Sequence, residues 1–133
     1  MKKLLLITII LLLQSFPSFG EWKKVVEKKD TEVLTHSLYL DEDSIVKSEG
    51  FLYVWSLDDY KNNDRDGVKS VILYQKFDCK RRRNKTLIIH FYGENMGRGD
   101  VINTVKDKET EVEWNYPIPN TMGDNLLNKV CDN

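Results

Sequence analysis

Residues 51–57 read Phe-Leu-Tyr-Val-Trp-Ser-Leu, and no other run in the chain alternates so cleanly. Side chains of an extended strand point to opposite sides in turn. Phe51, Tyr53, Trp55 and Leu57 therefore share one face, and Leu52, Val54 and Ser56 the other. Both faces are largely apolar, which predicts a central strand covered at least in part on both sides. Flanking stretches repeat the period. Residues 22–27 form a first strand candidate and 33–40 a second, with Leu34, His36, Leu38 and Leu40 on one side. In 68–79, Val71, Leu73, Phe77 and Cys79 share a face; in 86–92, Leu87, Ile89 and Phe91 do. Residues 101–105 and 112–114 are weaker candidates. The connections are short and polar, as hairpins require: 59–67 is dense in Asn and Asp and ends in the turn pair Asp66-Gly67.

After Pro117 and Pro119 the period changes from two to that of a helix. Thr121, three positions before Asp124, is the expected cap, and Met122, Leu126, Leu127 and Val130 follow at helical spacing. Lys129 in the last turn complements the helix dipole. The stripe of Met122, Leu126 and Val130 should meet the sheet face that bears Leu73 and Phe77, since Cys79 shares that face and Cys131 ends the helix. The expectation is an α+β domain: an antiparallel sheet of about six strands with one C-terminal helix tethered to one face by a disulfide.

The start of the chain predicts export. Lys2 and Lys3 precede an apolar run over 4–13, broken only by Thr8, and Ser18 and Gly20 put small residues at the positions signal peptidase reads. The run is too short for a membrane span, which needs about 18 apolar residues. Residues 1–20 read as a signal peptide and 21–133 as one domain, with no stable membrane span after cleavage and no cysteine before Cys79 to carry a lipid. The expected location is the periplasm, the cell surface or the medium. In an oxidising compartment, two cysteines read as one disulfide, Cys79–Cys131, worth roughly 4 kcal/mol in the loop-entropy account.

Charge excludes one class of partner. The chain has 20 Lys and Arg against 21 Asp and Glu, and cleavage removes two of the lysines, so a nucleic-acid binder is not expected. His36 and His90 are isolated, both cysteines are committed, and Asp58 and Asp59 point to opposite faces of a strand. The sequence thus predicts no metal site, no cofactor and no enzyme. Residues 62–67 resemble the start of a calcium loop, but Asn62 and Leu73 stand where its first and last ligands should be, so a solvated hairpin loop is expected. Arg98-Gly99-Asp100 matches an integrin-recognised tripeptide, yet Gly97 and Gly99 fit a turn between two strands.

Two surface features remain open. Lys80, Arg81, Arg82, Arg83 and Lys85 form either a candidate binding patch for acidic partners or a solvated hairpin end that blocks edge pairing. Trp22, Trp55 and Trp114 either pack in the core or line a ligand groove.

Several of these residues, in this order, resemble the surface-adhesin protein E family of bacterial exported proteins. They are Trp22, Tyr39-Leu40-Asp41, Ser44-Ile45, Val54-Trp55-Ser56-Leu57-Asp58-Asp59-Tyr60-Lys61, Ser70, Asp78-Cys79, Gly99 and the segment 119–131. The resemblance implies a six-stranded antiparallel sheet whose concave face holds a C-terminal helix through a disulfide. It further implies a non-catalytic, adhesin-like domain that binds protein partners, host matrix proteins such as vitronectin and laminin among them; an acidic glycan is expected as a partner only from the basic patch at 80–85. The alternative is a periplasmic binding or inhibitor protein acting on a bacterial envelope partner.

Overall fold

The computed structural model describes residues 21–29, 35–62 and 66–133. Residues 1–20, read above as a signal peptide, positions 33 and 34 of the second strand candidate and positions 63–65 of the loop compared with a calcium site lie outside them. Among the described residues, seven strands pair into one antiparallel sheet: β1 (Lys23–Lys29), β2 (Thr35–Leu40), β3 (Val46–Ser48), β4 (Phe51–Tyr60), β5 (Ser70–Asp78), β6 (Arg83–Tyr92) and β7 (Val101–Lys106). Their order across the sheet is β1-β2-β4-β5-β6-β7, with β3 also on β4. The expected central strand is β4, paired with β5 on one side and with β2 and then β3 on the other.

β2 and β3 are one line of strand interrupted by a 3-10 turn, Glu42–Ser44. The exposed peptide groups of β4 must still find partners. Asp41 N–H donates to the Trp55 carbonyl at 3.1 Å, and Trp55 N–H donates to Ser44 Oγ at 3.0 Å, so the ladder survives the gap. A three-residue strand is too short to show a period, which is why β3 has no sequence signal. Residues 112–114 depart from expectation in the other direction. They form no strand; the chain there touches the sheet only at an isolated bridge, where Asn84 and Asn115 exchange N–H···O bonds of 2.9 and 2.8 Å.

The helix α1 (Met122–Cys131) starts as the sequence predicts, with Thr121 Oγ1 accepting from Asp124 N–H. Leu126, Leu127 and Val130 are buried against Leu38, Leu40, Val54 and Phe77, with Val25, Val26 and Leu52 around them. The Cys79–Cys131 disulfide joins the end of β5 to the last turn of α1, with Cα atoms 5.6 Å apart. Phe77 is thus the partner expected for the helix, whereas Leu73 stays half-buried beside it.

The opposite face is covered only locally. A 3-10 turn, Asn95–Gly97, lies near Leu57, Ile72 and Tyr92, tied down by Met96 N–H to Asp59 Oδ1 at 2.7 Å and Gly97 N–H to Ser70 Oγ at 2.8 Å. Gly97 is at φ +64°, and a Cβ there would fall 2.5 Å from Ile72 Cδ1, so any other residue would be strained and would have to push the Ile72 side chain aside. Gly99 is also at positive φ, within the exposed β6–β7 turn that carries Arg98 and Asp100. We call this sparsely covered side the open face and the other the helix face.

Asp58 lies on the helix face, across from Leu38 in β2. Burial pushes its carboxyl up to about 6, with the nearby His36 pulling the other way.

Two predictions follow from the packing. Leu126→Ala should cost about 2–5 kcal/mol in denaturant unfolding with the disulfide intact, from lost transfer energy plus a cavity; a neutral result would mean that α1 does not dock through this side chain. The raised Asp58 value means that the native state holds this proton more tightly than the unfolded chain, so ionisation weakens the fold as pH rises between about 4 and 6. Asp58→Asn should therefore raise stability at pH 8 by up to about 3 kcal/mol, and the gain should vanish below pH 4.

Candidate binding surface

Strand register brings a set of rings onto the open face. Tyr53 is paired with Lys76 and Trp55 with Tyr74 across β4 and β5, and Tyr74 with Ile88 across β5 and β6. Alternation then places Phe51, Tyr53 and Trp55 beside Tyr74, Lys76, Lys85 and His90. Tyr53 stacks on Tyr74 with centroids 6.1 Å apart, Tyr74 meets Trp55 at 4.8 Å, and Trp55 stacks on His90 at 5.9 Å. His90 Nδ1 also lies 2.8 Å from Thr104 Oγ1 on β7. All four rings are partly exposed.

The segment 107–120, which returns from β7 to α1, completes the row. Trp114 stacks on Phe51 at 6.0 Å. The Arg83 guanidinium sits 4.1 Å and the Lys85 ammonium 4.6 Å from the Trp114 centroid. Lys76 lies 4.0 Å from the Phe51 ring and bonds Glu109 from the same returning segment. Burial pushes the Lys76 ammonium down, but Glu109 and Tyr53 outweigh it and hold it above its usual range. Cations over ring faces are stabilised by the ring quadrupole, more so where water is partly excluded. The result is a strip of half-exposed aromatic surface with fixed positive charge at one end.

The basic run read from the sequence does not act as one block. Arg82, at φ +49°, turns to the helix and donates to Asp124 Oδ1 at 2.8 Å and Asn128 Oδ1 at 2.7 Å. Arg83 donates to the buried Asp78 at 2.9 Å, with Arg81 at 3.5 Å from the same carboxylate. Burial pushes the Asp78 carboxyl up, but the two arginines outweigh it and hold it below the ordinary carboxylate range. Lys85 also donates to the Glu109 carbonyl at 3.1 Å. Lys80 is exposed and makes no ion pair among the described residues. Arg83 and Lys85 thus join the aromatic strip, Arg82 fastens the helix, and Lys80 and Arg81 remain at the exposed hairpin end.

The tryptophans divide between the two readings given them. Trp22 packs at the edge of the Leu57, Ile72 and Tyr92 cluster, while Trp55 and Trp114 each present a ring face. Sequence reasoning missed Lys76, Tyr53, Tyr74 and Phe51 as a group; only the register of β4 on β5 brings them together. Among the described residues no cluster of His, Cys, Asp or Glu could hold a metal ion.

The sequence profile of a family described as Surface-adhesin protein E matches residues 22–132. No curated protein matches the chain in sequence. Crystal form II of Haemophilus influenzae protein E is similar with a TM-score of 0.56 at 17% identity, over 71% of this chain and 80% of that one. The selenomethionine form of the same protein gives 0.55 at 17% identity, over 83% of this chain and 95% of that one. At such identity the likeness establishes the fold.

The Asp78 pair yields a test of which cations are structural. Arg83→Met should lower the melting temperature at pH 7, because it leaves a buried carboxylate short of its main partner, while Lys80→Met should leave it unchanged. A depressed carboxyl contributes stability above its unfolded value that is lost as pH falls through the lower folded value. The wild type should therefore lose more stability than Arg83→Met between pH 4 and pH 2. Parallel acid curves would show that Asp78 does not depend on Arg83.

Proposed function

Since the chain belongs to the surface-adhesin protein E family, we propose that it is a non-catalytic, adhesin-like surface protein that grips a protein partner through its open face, with residues 21–133 as the exported domain. The observation that carries this reading is the strip itself: Phe51, Tyr53, Tyr74, Trp55 and Trp114 half-exposed beside Lys76, Arg83 and Lys85, on the face that α1 leaves free. Trp, Tyr and Arg are the residues most enriched at binding hot spots, because large rigid rings bury area at small entropic cost. The charge favours an acidic segment of the partner. The family supports host matrix proteins as the class, and the exposed Lys80 and Arg81 extend the patch toward it. Among the described residues no helix is long and apolar enough to cross a membrane.

The test is surface binding of the oxidised, exported protein to immobilised vitronectin and laminin. Affinity should fall as salt rises from about 50 to 300 mM, since the Debye length shrinks across that range. Trp114→Ala should weaken binding at least tenfold, the ~1.4 kcal/mol or more expected of a hot-spot ring. Lys80→Ser with Lys85→Ser should reduce both affinity and salt dependence. Asn133→Ser, exposed just past the end of α1 on the helix face, should change neither. Wild-type binding by the Trp114 and lysine variants would remove the open face as the interface.

A further inference from the structure

On the helix face, α1 and the returning segment do not close completely over β5 and β6. They leave a cavity of about 250 Å³, walled by Leu38, Leu73, Met122 and Leu126 and bearing the Asp58 carboxyl. That is below the ~300–1,000 Å³ of sites that take drug-sized ligands, and suits something the size of one long side chain.

The polar groups around the cavity are mostly spoken for. Ser56 Oγ donates to Gln75 Oε1 at 2.8 Å, and Gln75 Nε2 donates to Thr86 Oγ1 at 3.2 Å. Asn115 Nδ2 donates to Asn84 Oδ1 at 3.1 Å. Asp58 is the exception: among the described residues no hydrogen bond or salt bridge from a protein group reaches its carboxylate. The titratable group facing it is His36 from β2, while α1 presents Met122, Gly123 and Leu126, and β5 presents Leu73 and Gln75. A partly buried anion with spare acceptor positions, set in apolar walls, calls for a cationic donor on an apolar stem.

We propose that this cavity is a second binding site, distinct from the open face, which takes an alkylammonium group with Asp58 as its counter-ion and Leu73, Met122 and Leu126 around its stem. Two sources share that chemistry: a free small amine, or a lysine side chain presented by a bound peptide. Entry of the ammonium supplies the donors that the fold withholds from Asp58, and the stem displaces water from the leucine walls.

The experiment is amide-shift titration of the folded, oxidised protein with n-pentylammonium chloride, with n-pentanol and sodium pentanoate as controls. Saturable shifts are expected at residues of the cavity, with a midpoint at least tenfold lower than that of pentanol and no saturation by pentanoate. Affinity should fall as pH drops through about 6, where Asp58 takes up its proton. Asp58→Asn, which removes a charge the fold disfavours, should stay folded and lose at least tenfold in affinity. Leu73→Trp should block entry with the carboxylate in place. Competition by acetyl-Gly-Lys-Gly-amide at a comparable midpoint assigns the site to presented lysines; binding of pentylammonium alone assigns it to free amines. Equal binding of pentanol, undiminished binding by Asp58→Asn, or no saturable shift with any probe would overturn the proposal.

Discussion

Everything on this molecule is arranged by the seating of one short helix. A ten-residue helix is marginal alone in water. It is held by Leu126, Leu127 and Val130 in the apolar face of β1, β2, β4 and β5, and by a covalent bond from its last turn to the end of β5. Arg82 secures the other end of the contact through Asp124 and Asn128, and Glu42 reaches both Lys23 and Lys129 across the β1 edge. Because the helix occupies one face, the aromatic residues of β4 and β5 on the other are left with water and with one another. The proposed binding surface is the complement of the core.

That division recasts the basic run after Cys79. Five cations in six positions look like one patch, but alternation and the turn at Arg82 send them in different directions. Arg82 and Arg83 are consumed by carboxylates of the fold. The charge that remains for a partner comes from Lys80 and Arg81 at the hairpin end and from Lys85 over the Trp114 ring, since Lys76 is buried and paired with Glu109. Removing the arginines as a block would thus disturb the fold and the surface together.

Much of the architecture could be read from residue order. The strict alternation at 51–57 marked the central strand, Thr121 and the apolar spacing after it marked the helix, and the two cysteines named the bond between helix and sheet. What escaped had physical reasons. β3 is three residues long and exists because it continues the line of β2 along β4. The stretch 112–114 alternates like a strand, yet Trp114 is spent on Phe51 and Asn115 on Asn84, so no ladder forms. The aromatic strip depends on which residue of β4 faces which residue of β5. The long polar connection between them leaves that register unspecified by local sequence. Trp55 and Trp114 were visible as candidates; Lys76, placed among their rings, was not. Beside Asp59 in the sequence, Asp58 carries no signal of the cavity above it, which α1 helps to wall.

The disulfide has a consequence in time as well as space. Its partners lie 52 positions apart, one at the close of a middle strand and one in the last turn of the helix. A protein that crosses a membrane as an extended chain delivers Cys79 long before Cys131. The bond therefore cannot form on a partly delivered chain. During that interval Cys79 waits without its partner, open to wandering oxidants and to other thiols. The apolar docking of Leu126, Leu127 and Val130 is what ends the interval, since it carries the late thiol to the early one. In such a chain, oxidation serves as a certificate of complete delivery, because the bond needs a thiol from the last turn of the helix.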